Sequence, residues 1–199
     1  MKIWHSPLQI FKYTFDDVAS AVWNRYPNDY STHIISEDIL ESRIEGNKIF
    51  IKKLIIKKGS KYLKMIPFGM SSLRSLKIVP CIEESIYDRD SKTLKTYTRN
   101  VSYNDKFMME ERCVYSPSVD EYKTSTDLKR SILTHVNYGK FSNLIQKVLL
   151  MQYKKRLKGT DSGLIQVLTE RTNVSSERVN FFKDSLSSKI ENARKYINY

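Results

Sequence analysis

Arg25 and His33 are the first side chains whose types and spacing suggest a binding site. They flank the segment 26–30, a turn between the end of a predicted helix and the start of a predicted strand. An arginine can donate two parallel hydrogen bonds to a phosphate, and a histidine can add a third donor. Alternatively, Arg25 caps the carbonyls of its own helix and His33 is a hydrogen-bonded core residue. The residues alone leave both interpretations open.

Two segments rich in basic residues are further candidates for binding. Residues 52–64 contain six lysines and no acid, and residues 147–158 contain five basic residues and no acid. Both could simply be solvated faces. The first, however, leads directly into the apolar segment 62–70, and that combination suits an anionic lipid surface. A nucleic-acid-binding stripe would interleave its cations with stacking aromatic side chains, which Tyr62 and Phe68 alone support only weakly.

Motifs for catalysis and metal binding are missing from the sequence. There is no Gly-x-Ser-x-Gly, no glycine-rich phosphate loop and no cluster of potential ligands with metal spacing. Cys113 lies within a predicted strand beside Arg112 and Val114, where a small buried hydrophobic residue is the usual explanation. The sequence therefore predicts a protein that is not an enzyme and that uses no cofactor or metal.

Length and composition fit one globular domain. The chain has 199 residues and a formal net charge of +12, with 40% apolar and 28% charged residues. Two cysteines cannot build a disulfide framework, and no apolar stretch approaches the roughly 18 residues of a membrane span. The first residues resemble neither a secretory signal nor a transit peptide. The charge excess predicts an anionic partner: nucleic acid, phospholipid or a small phosphate compound.

Hydrophobic periodicity predicts a sheet of antiparallel strands. A first strand is expected at 2–11, followed by a helix at 14–25 that Thr14 would cap. Period-two patterns then predict six strands, joined by turns too short for parallel crossovers. They are expected at 33–45, 49–55, 76–87, 92–103, 107–116 and within 121–137.

The C-terminal third is predicted to be helical. From Gly139 the apolar residues recur with a period of 3.6, which predicts a long helix to about Leu157. Gly159 and Gly163 are expected to loosen the chain before a polar helical tail at 174–198. The simplest fold is α+β, with a curved antiparallel sheet that wraps on the long helix and forms a cup.

The segment 59–75 lacks a clear period. Its apolar residues stand among glycine, proline and serine, which favours a functional loop at this length. A short buried helix is the alternative.

Several motifs resemble those of the PRELI/MSF1 family of mitochondrial lipid-transfer proteins, in its PRELI branch. These are Met1-Lys2-Ile3-Trp4, Arg25-Tyr26-Pro27-Asn28, Tyr30-Ser31, His33, Glu37-Asp38-Ile39, Leu94-Lys95-Thr96-Tyr97-Thr98-Arg99-Asn100 and Glu110-Glu111-Arg112-Cys113-Val114-Tyr115. The resemblance covers about residues 1–170. It implies a START-like cup of about seven antiparallel strands, closed by a long C-terminal helix and covered by a mobile lid. The lipid-transfer domain would span 1–172, and 173–199 would be a polar helical tail.

The resemblance also implies a set of site residues. The head group of the lipid would be held by Arg25, His33, Lys53, Lys58 and Arg156, with an ambiguity between Lys57 and Lys58. Gln152 stands where relatives commonly have a basic residue. The lid and its membrane contact would involve Lys61, Tyr62, Leu63, Met65, Ile66, Phe68 and Met70.

The function implied by this resemblance is lipid transfer. The expected cargo is phosphatidic acid, moved from the outer to the inner mitochondrial membrane in support of cardiolipin synthesis. The protein would work in the intermembrane space with a small twin-CX9C helical partner and would dock transiently on anionic membrane. Phosphatidylserine transfer is the alternative within this class, and a basic nucleic-acid-binding module is the alternative from another class.

Overall fold

In the computed structural model, a curved sheet of eight antiparallel strands lies against a long C-terminal helix. The structure describes residues 1–59 and 77–197, with side chains up to residue 173. The strands are β1 (Lys2–His5), β2 (Gln9–Phe11), β3 (Ile34–Glu45), β4 (Lys48–Lys58), β5 (Ile78–Asp88), β6 (Thr93–Asn100), β7 (Phe107–Pro117) and β8 (Thr126–Val136). The helices are α1 (Phe15–Trp23) and α2 (Ser142–Ile197), the latter preceded by a 3-10 turn (Gly139–Phe141).

The order of the strands explains the shape of the sheet. The sequence β3-β4-β5-β6-β7-β8 is a continuous meander, and both β1 and β2 pair with β8 at its far side. The predicted START-like α+β cup is confirmed, with eight strands in place of about seven. The first predicted strand is interrupted at residues 6–8, where Pro7 has no N–H to donate to a ladder.

One face of the sheet is covered and the other is open to solvent. On β6, Leu94, Thr96, Thr98 and Asn100 are all buried, whereas Lys95 and Arg99 point to the exposed outer face. This alternation is the period-two pattern of a strand with one buried face. Both helices contact the inner face, so the cup opens between the sheet and α2.

Helix α1 forms where its sequence predicts it. The Thr14 hydroxyl accepts a hydrogen bond from the backbone N–H of Asp17 at 3.2 Å, and two acids occupy the favourable first turn. Its apolar stripe, which includes Val18 and Val22, is completely buried against the sheet and α2. The helix thereby fixes the position of the turn that follows it.

Helix α2 is longer than its sequence pattern indicates. The prediction that it ends near Leu157 was wrong, because one helix runs from Ser142 to Ile197. Gly163 does not loosen it. A Cβ at this position would lie 2.5 Å from the side-chain oxygen of Asn28, so the glycine lets α2 approach the 24–33 turn closely. That packing outweighs the roughly 1 kcal/mol by which glycine disfavours a helix.

The predicted lid, with its residues Lys61, Tyr62, Leu63, Met65, Ile66, Phe68 and Met70, lies outside the described residues. Within the described part of the chain, no helix is long and apolar enough to cross a bilayer.

Candidate anion-binding cavity

A cavity of about 200 Å³ lies between the inner face of the sheet and α2. Its walls come from two separate core clusters: Tyr115 and Leu164 belong to one, and Phe107 and Leu149 belong to the other. The cavity therefore separates the two halves of the core. Five inward-facing cationic side chains and three acidic ones also line it, so the interior is more polar than a purely apolar cup.

Four basic side chains meet at one end of the cavity. His33 precedes β3, Lys57 and Lys58 end β4, and Arg156 comes from α2. The backbone N–H of Lys58 donates to the carbonyl of His33 at 2.7 Å, and Ile34 pairs with Lys57 in the sheet. These backbone contacts fix the histidine beside the two lysines.

The electrostatic effect of this cluster is visible at His33. Burial, as the larger cause, and the positive charges of Arg156, Lys57 and Lys58 together lower the pKa of its imidazole to about 4. At Lys57, burial also disfavours the charge. Neighbours including Cys81, Tyr26, Glu111 and Glu83 nevertheless hold its pKa above the usual value, so the ammonium stays protonated. Concentrated positive charge of this kind favours an anionic ligand.

Arg25 faces the same cavity but already has a counter-ion. Its guanidinium donates to Glu83 on β5, and the side chains are 13% and 2% exposed. Burial opposes both charges. Their mutual attraction nevertheless holds the pKa of Glu83 below its usual value and that of Arg25 well above it. Arg25 also donates to the carbonyl of Val22 at 3.2 Å, so it caps α1 as well.

Lys53 lies outside the cavity, although it shares a strand face with Lys57. The C-terminal end of α1 covers it, and its ammonium donates to the carbonyl of Trp23. It also forms an ion pair with Glu37 at 2.9 Å and is only 3% exposed. Of the two alternatives on the strand, both Lys57 and Lys58 line the cavity.

A second ion-pair network connects the sheet to α2 at the cavity wall. Arg130 on β8 contacts Glu111 at 3.3 Å and Asp161 of α2 at 2.7 Å. Glu111 also accepts a hydrogen bond from Tyr153 of α2 at 2.5 Å. The acidic side chains of the cavity thus form their ion pairs with its arginines rather than with Lys57 or Lys58.

Cys113 lies next to this network, and burial raises the pKa of its thiol to about 12. A thiol in this state is a poor nucleophile, in agreement with the predicted structural role.

The acids of the cavity were not among the predicted site residues. A signal for two of them was present in the strand alternation, because Glu83 shares a face with Cys81 and Tyr87. Glu111 shares a face with Cys113 and Tyr115 in the same way. Arg130 carries the same signal, because it shares a face of β8 with Leu128 and Ile132. Its pairing with Asp161 has no such signal, since it depends on how α2 docks on the sheet.

Fold and cavity together define a class of protein: a hollow α+β domain whose cavity combines an apolar wall with a cationic end. Solved structures share the fold. The Zhui aromatase/cyclase of a Streptomyces species aligns with a TM-score of 0.56 at 9% identity, over 86% of this chain and 96% of that one. TTHA0849 of Thermus thermophilus aligns with a TM-score of 0.55 at 12% identity, over 85% and 99% of the two chains.

The chain belongs to the PRELI-like family, whose profile matches residues 16–175. Among curated relatives, Protein UPS1, mitochondrial, of Saccharomyces cerevisiae is 29% identical over 178 residues, 87% of this chain and 98% of that protein. PRELI domain-containing protein 1, mitochondrial, of Gallus gallus is 28% identical over 163 residues, 81% of this chain and 74% of that protein. These relatives are named as mitochondrial proteins.

Proposed function

We propose that this protein carries phosphatidic acid from the outer to the inner mitochondrial membrane and thereby supports cardiolipin synthesis. The observation that carries the proposal is the cationic end of the cavity, formed by His33, Lys57, Lys58 and Arg156. Phosphatidic acid ends in a compact phosphomonoester, which these donors can contact from several sides. The role is that of a carrier without bond-forming chemistry.

An apolar cavity wall lowers the main free-energy barrier to lipid exchange, which is the exposure of acyl chains to water. Exposing a methylene to water costs about 0.8 kcal/mol, so two chains with on the order of 30 methylenes would cost roughly 24 kcal/mol. Side chains such as Ile132, Leu149 and Leu164 offer the chains an apolar surface next to the cationic end. A widened form of this cavity can then hold chains and head group at the same time.

The pairing of the acids favours phosphatidic acid over phosphatidylserine. A serine head group brings an ammonium that needs an acidic partner, yet Glu83, Glu111 and Asp161 are engaged by arginines. Its carboxylate and bulk would also leave groups unpaired at the cationic end. Phosphatidylserine is therefore the competitor that the experiment must include.

The proposal also includes the compartment, the partner protein and the membrane contact of the lid. The protein works in the intermembrane space with a small twin-CX9C helical partner and without nucleic acid. Its lid at residues 61–70 docks on anionic membrane and inserts Met65, Ile66 and Phe68. These steps extend the family resemblance to this chain.

A vesicle-to-vesicle transfer assay with labelled lipids tests the function. We expect phosphatidic acid to move faster than phosphatidylserine. The double variant Lys57→Gln, Lys58→Gln should lose at least about tenfold in rate, because charge-assisted hydrogen bonds contribute about 1.5–3 kcal/mol each. The control is Lys48→Gln, Lys52→Gln, which removes equal charge from exposed ion pairs at the other end of β4.

Two outcomes would overturn the proposal. One is unchanged phosphatidic acid transfer by the Lys57, Lys58 double variant while the control behaves identically. The other is preferential transfer of phosphatidylserine. A mass spectrum of lipid that co-purifies with the protein gives an independent identification of the cargo.

A further inference from the structure

The outer face of α2 combines lysines with exposed apolar side chains in one stripe. At 100° per residue, six residues fall within a sector of about 100°. They are Leu144, Lys147, Met151, Lys154, Lys155 and Lys158, here called the outer stripe. Leu144 is 50% exposed and Met151 is 59% exposed, so the apolar members are not covered by the fold.

The outer stripe lies opposite the cavity wall on the same helix. Leu149, Gln152, Tyr153 and Arg156 face the cavity, and their positions are about half a turn away from the stripe. The stripe therefore has no part in lining the cavity. Packing of the core does not explain its apolar residues either.

Charge on this part of the helix is entirely of one sign. Residues 139–160 contain six basic residues and no acid. A helix face that is only solvated usually mixes both signs, and opposite charges at i,i+4 stabilise it. Here neighbouring side chains of the helix carry charge of the same sign, which favours an anionic partner.

We propose that the outer stripe is a docking surface for anionic lipid bilayers, separate from the cavity. The stripe is about 21 Å long from Leu144 to Lys158, which lets the helix lie flat in the head-group layer. Its lysines contact lipid phosphates, while Leu144 and Met151 enter the acyl boundary. Its use in a transfer cycle rests on the proposed function, whereas the docking itself does not.

The strand β1 borders this surface and extends it. Lys154 lies over the ring of Trp4, with its ammonium 4.6 Å from the ring centroid, and Trp4 also contacts Tyr153. Met1 and Ile3 are 78% and 60% exposed at the same edge of the sheet. Apolar and aromatic side chains beside lysines are typical of a surface that lies in a membrane interface.

Sedimentation with vesicles tests this surface without involving the cargo. The probe is phosphatidylcholine vesicles with or without phosphatidylglycerol, an anionic lipid other than the proposed cargo. We expect binding only to the anionic vesicles and a steep decrease with salt. The variant Lys147→Gln, Lys158→Gln should bind about 25-fold more weakly, or about fivefold per lysine. Met151→Ser should weaken the binding that remains at high salt.

The matched control is Lys95→Gln, Lys129→Gln, which removes the same charge from exposed positions on the outer face of the sheet. If it weakens binding as much as the stripe variant, only net charge matters and the proposal fails. It also fails if the stripe variant binds anionic vesicles like the unchanged protein, as expected when the stripe instead receives a protein partner. Calorimetry with dihexanoyl phosphatidic acid separates the two proposals, because a stripe variant must retain cavity binding.

Discussion

Arg25 is neutralised inside the protein before any ligand is present. Glu83 holds the guanidinium and also accepts a hydrogen bond from the Thr98 hydroxyl at 2.9 Å. A phosphate that enters the cavity must therefore share Arg25 with a carboxylate or rely on Lys57 and Lys58. This arrangement limits affinity, which suits the proposed role of a carrier that has to release its cargo.

Removing the charge of Glu83 should therefore strengthen binding. Glu83→Gln keeps the shape of the side chain but leaves Arg25 free to pair with a phosphate, so we expect about five- to tenfold tighter binding of dihexanoyl phosphatidic acid by calorimetry. The free protein should become less stable, because one partner of a buried ion pair is lost. Glu84→Gln is the control, because it removes the same charge from the next residue of β5, whose carboxylate pairs with Lys52 on the outer face of the sheet. Unchanged or weaker binding by Glu83→Gln would contradict this role.

His33 should report the arrival of an anion through its pKa. In the free protein burial and three nearby cations lower this pKa from the ordinary 6.5 to about 4. Protonation of His33 thus opposes folding, so the free protein loses stability as the pH falls from 6.5 towards 4. A bound phosphate reverses the local field and should raise the pKa, and by linkage the anion then binds more tightly as the pH falls through this window.

Nuclear magnetic resonance of the three histidines measures this shift directly. The His33 signal should titrate at higher pH after dihexanoyl phosphatidic acid is added. The signals of His5 and His135, which are exposed on the outer face, serve as internal controls. If the His33 signal titrates at the same pH with and without the ligand, the phosphate does not bind beside this histidine.

For individual residues, the sequence indicated which side chains are candidates for the site better than it indicated which groups of the protein they contact. Arg25 caps α1, as one interpretation predicts, and it also faces the cavity, whereas its contact with a phosphate stays a prediction. Lys53 was assigned to the head-group site through the family resemblance, which carries no information about the helix end that covers this lysine. Contacts between elements distant in sequence decide which basic residues reach the cavity.

Among the elements, α2 shows how a tertiary contact overrides a local signal. Gly159 and Gly163 predicted a weak point in the helix, but Gly163 lies directly against Asn28. Asn28 in turn donates to the carbonyl of Arg25 at 2.6 Å and accepts from the backbone N–H of Tyr30 at 3.1 Å. The turn with Arg25 and the helix are thus positioned by one close approach.

A methyl group at residue 163 should disturb that approach. Gly163→Ala places a carbon 2.5 Å from the side-chain oxygen of Asn28, so the turn or the helix must move. We expect a loss of about 1–3 kcal/mol in the free energy of unfolding by urea denaturation, together with slower lipid transfer. Gly159→Ala is the matched control. Its nearest neighbour is the Tyr30 carbonyl at 3.8 Å, so higher helix propensity should stabilise the protein by about 0.5–1 kcal/mol. Equal effects of the two changes would disprove the packing role.

The sheet, by contrast, follows its sequence pattern closely. The hairpin of β3 and β4 and the strands β5 to β8 lie within a few residues of their predicted positions. Period-two alternation and short polar turns are local properties, so they can be read without knowing the rest of the fold. The ends of α2 depend on packing, which such patterns do not contain.

For the whole molecule, the size of the cavity limits what it can hold in its present form. Its volume of about 200 Å³ is below the roughly 300–1,000 Å³ typical of sites for much smaller ligands than a diacyl lipid. The long-chain cargo of the proposed function must therefore enlarge it. Continuous hydrogen-bonded ladders hold the sheet together, whereas α2 is attached to it through side chains such as Arg130, Asp161 and Tyr153. The helix is the element expected to move.

The two tryptophans allow this movement to be measured from opposite sides of the cup. Trp4 contacts Tyr153 of α2 at 6.3 Å between ring centroids, whereas Trp23 of α1 donates to the Ser85 hydroxyl at 3.0 Å. If α2 leaves the sheet on loading, the fluorescence of Trp4 should shift to longer wavelength as its ring becomes exposed, and that of Trp23 should stay constant. The variants Trp23→Phe and Trp4→Phe isolate each signal. Dioleoyl phosphatidic acid should produce the shift and dihexanoyl phosphatidic acid should not, because only long chains exceed the existing volume. A shift of Trp23 alone, or none at saturation with the long-chain lipid, would mean that the cavity expands elsewhere.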